Sequence, residues 1–295
     1  MPIRVNSPAG YSILPDKMPG RVLLLDGDPL CYHAACTVKT IKTGLSKMRQ
    51  DILTKLYLAG ADYARVHITA GTSDKAARGR VLAARPYQGN RNTKTKPPLL
   101  EPLREAISAS SGLPEADVFL HYELEADDGL VIDSYAMKDK GVVASDDKDL
   151  RQTIYPWFDG SVFKVDGGAD PGWIGFKDSE RTGQRKLIGR GMEFFWAQML
   201  MGDYVDNVLG LASYKGSTVG PVKAHSILEG MSVDMMADTV IKAYKEIDQN
   251  VIAEGWLLFM LRSPDDNVLK YFKEIDITPE ARAYVKDCKG RKWFE

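Results

Sequence analysis

Residues 21–28 read Arg21-Val22-Leu23-Leu24-Leu25-Asp26-Gly27-Asp28. An unbroken apolar run this short suits a strand buried on both faces, as in a parallel sheet. It stops at two acids, and open α/β sheets carry their sites at that carboxyl edge. Outward from this stretch, Leu30 to Thr37 and residues 46–60 have helical patterns. Arg65 to Ala70 reads as a second strand. Val142-Val143-Ala144 is another short apolar strand, ending at Ser145-Asp146-Asp147. Strands alternating with helices, with acids after the strands, predict a Rossmann-like α/β fold with a mainly parallel central sheet.

Acids recur in four tight clusters: Asp26-Gly27-Asp28, Glu125-Ala126-Asp127-Asp128, Asp146-Asp147-Lys148-Asp149 and Asp203-Tyr204-Val205-Asp206. Carboxylates packed this densely repel one another, and burying one unpaired costs several kcal/mol. A divalent cation compensates, and oxygen-only ligands suit Mg²⁺ or Mn²⁺. Clusters that meet in space would make a site for phosphodiester hydrolysis. Each also has a plainer reading. Asp26 is read as a ligand and Asp28 as a helix cap before Pro29. Acids at the start of a helix are favoured by its dipole, which accounts for one or two of Glu125, Asp127 and Asp128. Asp147 with Asp149, or Asp203 with Asp206, would each alone pass for a surface turn.

The chain has 295 residues, a net charge of −1 and an apolar fraction of 44%. That suits one large domain or two joined ones with a real core. Charge is unevenly spread. Residues 75–96 hold Lys75, Arg78, Arg80, Arg85, Arg91, Lys94 and Lys96 with no acid. Arginine clamps phosphates, and Tyr87 among these cations can stack on a base, so the segment reads as a single-strand binding loop or arch. Residues 155–190 are glycine-rich and read as one or two hairpins. From Glu193 onward the pattern is helical. Val233, Met236, Val240, Tyr244 and Ile247 form a packing stripe behind Ser232 as N-cap. Cys31, Cys36 and Cys288 form no CxxC pair, which fits a reducing cytoplasm. His33, His67, His121 and His225 lack metal-ligand spacing and are read as structural. No apolar run reaches the ~18 residues of a membrane span.

In order, these segments resemble the 5′-nuclease superfamily: flap endonucleases, the 5′-nuclease domains of bacterial DNA polymerase I, and phage 5′–3′ exonucleases. The resemblance runs from about Arg21 to Leu228. Val22–Gly27 is similar to the family's first strand and first metal ligand, and Arg78–Arg91 to its arch. Glu125-Ala126-Asp127-Asp128, Asp147-Lys148-Asp149-Leu150 and Gly202-Asp203-Tyr204-Val205-Asp206-Asn207 match its acid motifs, with Gly210 following. Length, and the lack of a polymerase region, resemble the phage exonucleases most.

The resemblance implies a PIN-like α/β fold with a helical arch and a helix–three-turn–helix for duplex DNA. Three parts are expected: an extension over 1–20, a nuclease core over 21–192 with its arch at 72–98, and a helical part over 193–295 with the DNA motif at about 193–230. It makes Asp26, Asp74, Glu125, Asp127, Asp128, Asp147, Asp149, Asp203 and Asp206 the metal-site acids, holding two Mg²⁺ ions ~4 Å apart. A monovalent cation such as K⁺ is implied on loop carbonyls of the DNA motif. There Gly220 and Lys223 would meet phosphate at a helix N-terminus. Gln88 departs from the family's arch lysine: either its role passes to Arg80, Arg85 or Arg91, or the rate suffers. The expected activity is metal-dependent hydrolysis of DNA bearing a free 5′ end or flap, an RNA primer being a further substrate, by a monomer free of membranes. The alternatives are a PIN-type ribonuclease and a catalytically silent DNA-binding protein.

Overall fold

The computed structural model describes residues 17–91, 95–109, 113–160, 164–178, 183 and 185–295, and the backbone of 4–7 and 10–13. Two compact units emerge. The first comprises residues 1–76, 95–150 and 155–168; the second comprises 77–94, 151–154 and 169–295.

The first unit begins with a hairpin of β1 (Arg4–Ser7) and β2 (Gly10–Ile13). Its sheet follows: β3 (Val22–Asp26), β4 (Tyr63–Thr69), β5 (Ala116–His121), β6 (Gly141–Ala144), β7 (Trp157–Asp159) and β8 (Lys164–Asp166). The strand order is β5-β4-β3-β6-β7-β8, parallel throughout except for the β7–β8 hairpin. The chain builds outward from β3 to β4 and β5, then returns to place β6 on the other side of β3. The switch point of this topology is therefore the gap between the carboxyl ends of β3 and β6, where open α/β sheets place their sites.

Helices α1 (Asp28–Thr37), α2 (Ile41–Ala59) and α3 (Leu100–Ser108) pack together against β3–β5, and α4 (Ala126–Met137) packs against β3, β4 and β6. The continuous run in β3 is explained by this double cover. Leu23 and Leu25 join the core with Met48, Ile52 and Leu103, while Leu24 lies near Gly141 and is equally buried. Adjacent strand residues face opposite sides. In β4 the same alternation separates apolar Val66 and Ile68 from Arg65 and His67, which reach Asp133 of α4. Thr40 caps α2 through its side chain, and left-handed Gly60 ends it.

The second unit holds the antiparallel pair β9 (Gly172–Asp178) and β10 (Arg185–Arg190) and helices α5 (Gly191–Met201), α6 (Pro221–Leu228), α7 (Val233–Glu246), α8 (Val251–Leu258), α9 (Val268–Glu274) and α10 (Pro279–Gly290). Its core is aromatic: Phe195, Trp196, Phe259, Tyr271 and Phe272 pack ring to ring, and Trp196 Nε1 donates to Tyr271 Oη at 2.9 Å. Ser232 caps α7 as its sequence predicts.

Each unit has its own core: Val81 and Leu187 belong with the C-terminal helices, Phe158 with the sheet. Of the loop and the helical arch expected for the basic segment, its described residues form the loop. Among its described residues there are only 3₁₀ turns, at Lys75–Arg80 and Gly89–Arg91. Lys75, Ala76 and Ala77 have φ of 53°, 55° and 60°, in the left-handed region that L-residues avoid. Pro86, Pro97 and Pro98 and the lack of apolar periodicity remove the means of building an α-helix. No described helix is long and apolar enough to cross a membrane.

Gly129, in the first turn of α4, is forced by close packing. A Cβ there would lie 2.5 Å from both His121 Nε2 and His67 Nδ1. Gly129→Ala is expected to lower unfolding stability by about 1–3 kcal/mol through overpacking. Chemical denaturation checks this; an unchanged midpoint would mean that the histidine pair yields freely.

Candidate functional site

In the first unit the acids gather at the switch point. Asp26 ends β3, Asp147 and Asp149 follow β6, and Glu125, Asp127 and Asp128 open α4. Asp26 is buried. Its Oδ1 accepts from the Asp28 N–H at 3.1 Å and its Oδ2 from Ser145 Oγ at 2.9 Å. Burial, then repulsion from Asp28 and Asp147, pushes its carboxyl up to about 7, against those two hydrogen bonds. Asp127 is pushed well above the usual carboxylate range. Desolvation is the main cause, followed by the charges of Asp26, Asp147, Glu125 and Asp149. Clusters far apart in sequence are thus near enough to oppose each other's ionisation.

The remaining acids divide between ligand-like and structural positions. Glu125 and Asp128 form a reciprocal capping box at the start of α4, with the Glu125 N–H donating to Asp128 Oδ2 at 3.3 Å. Thr69 Oγ1 accepts from the Ala126 N–H at 2.8 Å, tying that helix start to the end of β4. Glu125 Oε1 also lies 3.5 Å from Lys75 Nζ, which puts one cation of the basic segment at the acid cluster. Asp147 is exposed, and its Oδ1 accepts from the Asp149 N–H at 2.9 Å. Asp74 is an exposed residue of the turn beyond β4, its N–H held by the Tyr122 carbonyl.

Asp28 is not the cap that its place before Pro29 predicts. Gly27 is the N-cap of α1, and Asp26 accepts the Asp28 N–H. Asp28 Oδ1 instead takes the Thr69 N–H at 3.2 Å and Arg104 Nη2 at 2.9 Å. Gly27 has an ordinary φ of −89°; what requires glycine is closeness to β4, since a Cβ would sit 2.5 Å from Ile68 Cγ1.

The second unit carries Asp203 and Asp206 on the loop after α5. Asp203 is buried, and its Oδ1 accepts from the Val205 N–H at 2.8 Å. The end of the basic segment is pinned to this loop. Gln88 Nε2 donates to Asp206 Oδ1 at 3.0 Å, and Arg91 Nη2 donates to the same oxygen at 2.5 Å. Asn90 Nδ2 reaches the Tyr204 carbonyl, and Asn207 Nδ2 the Pro86 carbonyl. Beneath lies Glu254 of α8, fully buried, whose carboxylate accepts from the Ala84 N–H at 3.0 Å and the Gly210 N–H at 3.1 Å. Burial raises its pKa, against those bonds and the charge of Arg85.

Two residues of the basic segment, and Lys223 of α6, are not presented as predicted. Arg78 is 1% exposed, and Nη2 donates to the Phe259 carbonyl, so it is a core residue and not a phosphate contact. A long apolar stem lets arginine bury in this way when its head group is hydrogen-bonded. Tyr87 is half-buried against the second unit's core. Lys223 Nζ braces the loop before α6 through the Tyr214 carbonyl and Ser217. Arg80, Arg85 and Arg91 are exposed, Lys96 is exposed beside Glu101 at 3.4 Å, and Gly220 is the N-cap of α6. Lys94 lies outside the described residues.

Sequence reasoning missed Ser145, Thr69, Arg104 and Glu254. Ser145 borders an acid cluster and was within reach. Glu254 sits inside the apolar run 251–260 with no motif around it. Two histidines join a part-buried hydrogen-bonded chain. His67 links His121 at 2.9 Å to Asp133 at 3.0 Å, and burial lowers the His121 pKa to about 4.

The T5 D15 protein co-crystallised with metal ions aligns with TM-score 0.55 at 15% identity, over 92% of this chain and 98% of that one. The bacteriophage T5 D15 flap endonuclease, in a pseudo-enzyme-product complex with DNA and metal ions, gives the same figures. The chain shares their fold. At that identity the likeness concerns architecture alone. No protein-family model and no curated protein matches the sequence.

The raised Asp26 carboxyl has a measurable consequence. The native state keeps a proton that the unfolded chain, at an ordinary pKa of ~3.9, releases. Its stabilisation is full below about pH 4 and is lost as pH rises to about 7, with a slope of up to ~1.4 kcal/mol per pH unit. Metal-free melts across that range should show the fall, and Asp26→Asn should flatten it. A wild-type slope unaltered by Asp26→Asn would contradict the assignment.

Proposed function

We propose that this protein is a divalent-metal-dependent 5′-nuclease that hydrolyses DNA at a free 5′ end or flap and leaves 5′-phosphates. The observation that carries the reading is the crowding of carboxylates around Asp127 at the sheet's switch point. A set of oxygen donors that oppose one another's ionisation fits Mg²⁺ or Mn²⁺. The T5 flap endonuclease that shares the fold was crystallised with DNA and metal ions, which supports the same ligands here.

In this reading Asp26, Asp127, Asp147 and Asp149 hold the metal, with Glu125 and Asp128 bound partly to capping. Asp74 belongs to the outer edge of the set. Asp203 and Asp206 enter on the resemblance of their motif. The bound ions would supply the positive charge that phosphodiester hydrolysis needs. Lys75 adds a fixed cation beside Glu125. Arg80, Arg85 and Lys96, with Lys94, take the 5′ strand. The loop from Leu211 to Val219 with α6 takes duplex backbone and K⁺.

Gln88 cannot supply the point charge of lysine. Arg91 shares the same Asp206 oxygen with it and is the cation nearest that role. Gln88→Lys is therefore expected to change the single-turnover rate by less than about tenfold, ~1.4 kcal/mol. Arg91→Ala should slow it more. A hundredfold gain in Gln88→Lys would show that no arginine stands in.

Duplex, flap and single-stranded substrates labelled at either end, with Mg²⁺ or EDTA, test the activity itself. Cleavage should require the metal and vanish in Asp127→Asn and Asp147→Asn, both still folded. Full activity in EDTA, or in both variants, would refute it.

A further inference from the structure

Outside the acid clusters, the second unit has an open cleft of about 390 Å³ lined by Trp256, Leu269, Arg291, Lys292, Trp293 and Phe294. It lies between the end of α8, the start of α9 and the stretch that follows α10. Its three rings lie close together but splayed. Trp256 and Trp293 have centroids 5.4 Å apart at 47°, Trp293 and Phe294 5.4 Å at 59°, and Trp256 and Phe294 6.1 Å at 61°. All three rest on the core yet remain partly exposed. Partly exposed rings beside an open cleft leave aromatic faces and edges within reach of a planar ligand.

The chemistry around the rings is cationic. Lys292 is exposed at the cleft, and the Arg80 guanidinium lies 5.1 Å from the Phe294 ring centroid. The second half of α10, leading to the cleft, carries exposed Lys286 and Lys289. Arg291 is not counted, because Asp248 and Asp287 hold its charge at 2.6 and 2.7 Å. Glu295 is the opposing charge beside Arg80.

Backbone pairing joins this cleft to the basic segment. The Leu82 N–H donates to the Trp293 carbonyl at 2.9 Å, Val81 and Phe294 form an antiparallel bridge, and the Glu295 N–H donates to the Arg80 carbonyl at 3.0 Å. Residues 80–82 thus carry the cation assigned to the 5′ strand directly alongside the aromatic cluster.

We infer that this cleft is a stacking subsite for an unpaired base of single-stranded nucleic acid, with Lys292 and Arg80 at the flanking phosphates. Aromatic rings beside cations bind any base by its π-face and any strand by its charge. The subsite takes the identity of its strand from the proposed function, but its binding does not depend on catalysis.

The test is anisotropy in EDTA with two labelled strands of equal length and charge, one of thymidine nucleotides and one wholly abasic. Trp293→Ala should weaken binding of the thymidine strand by about fivefold or more and of the abasic strand by less than twofold. Trp293→Phe, which keeps a ring, should retain most of the wild-type preference, and wild-type tryptophan fluorescence should fall on adding thymidine but not abasic strand. Should Trp293→Ala fail to fold, the other two readouts decide. Equal losses on both strands, or a wild-type protein that neither prefers thymidine nor changes its fluorescence, would overturn the subsite. Base-dependent binding without any Mg²⁺-dependent cleavage would keep the subsite and reject the nuclease; cleavage without base-dependent binding would do the reverse.

Discussion

The mutual repulsion of carboxylates at the carboxyl ends of β3 and β6 is the constraint around which the first unit is organised. Parallel strands buried on both faces leave only their ends for chemistry. The sequence spends that edge on Asp26, Asp147 and Asp149, and turns the start of α4 towards them with Asp127. Neutral hydrogen bonds hold the cluster in place: Ser145 and the Asp28 N–H on Asp26, and the Asp147 carboxylate on the Asp149 N–H. They restrain the groups but do not cancel the charge, as the raised Asp26 and Asp127 carboxyls record. A site that stores repulsion in this way is suited to a divalent cation.

The second unit solves a different problem. Among its described residues the basic segment has no α-helix, and its backbone is fixed from outside. Glu254 anchors it at Ala84 and holds Gly210 with its other oxygen; Asp206 anchors it at Gln88 and Arg91; the stretch 293–295 pairs with it at 80–82. A buried carboxylate bonded to two backbone N–H groups is costly to break, because removing it orphans both donors. Glu254 therefore links the geometry of the cation-bearing segment to that of the acid loop.

Much of this was legible beforehand because its causes are local. The run Val22–Leu25, the acids at its end and the stripe behind Ser232 carry periodicity, and periodicity reports burial. The hairpins at 157–166 and 172–190 followed from glycine and turn chemistry. What escaped notice depends on partners distant in sequence. Nothing near Arg78 reveals that the Phe259 carbonyl lies over it, and nothing near Glu254 reveals Ala84 and Gly210. Gly27 takes the N-cap of α1 in place of Asp28 because the Asp28 carboxylate is held by Thr69 and Arg104, both far away in sequence. The arch failed for a compositional reason that was visible: basic residues broken by prolines give charge without helix.

The direct measurement is a calorimetric titration of Mn²⁺ into the metal-free protein near pH 7, in two buffers of different ionisation enthalpy. A cation entering a cluster whose carboxyls are partly protonated must displace protons. The observed heat should therefore differ between buffers by an amount reporting net proton release, and the difference should shrink by pH 8.5 as Asp26 ionises unaided. Absence of Mn²⁺ binding, or a heat independent of buffer at pH 7, would contradict the claim that these repelling acids form the metal site.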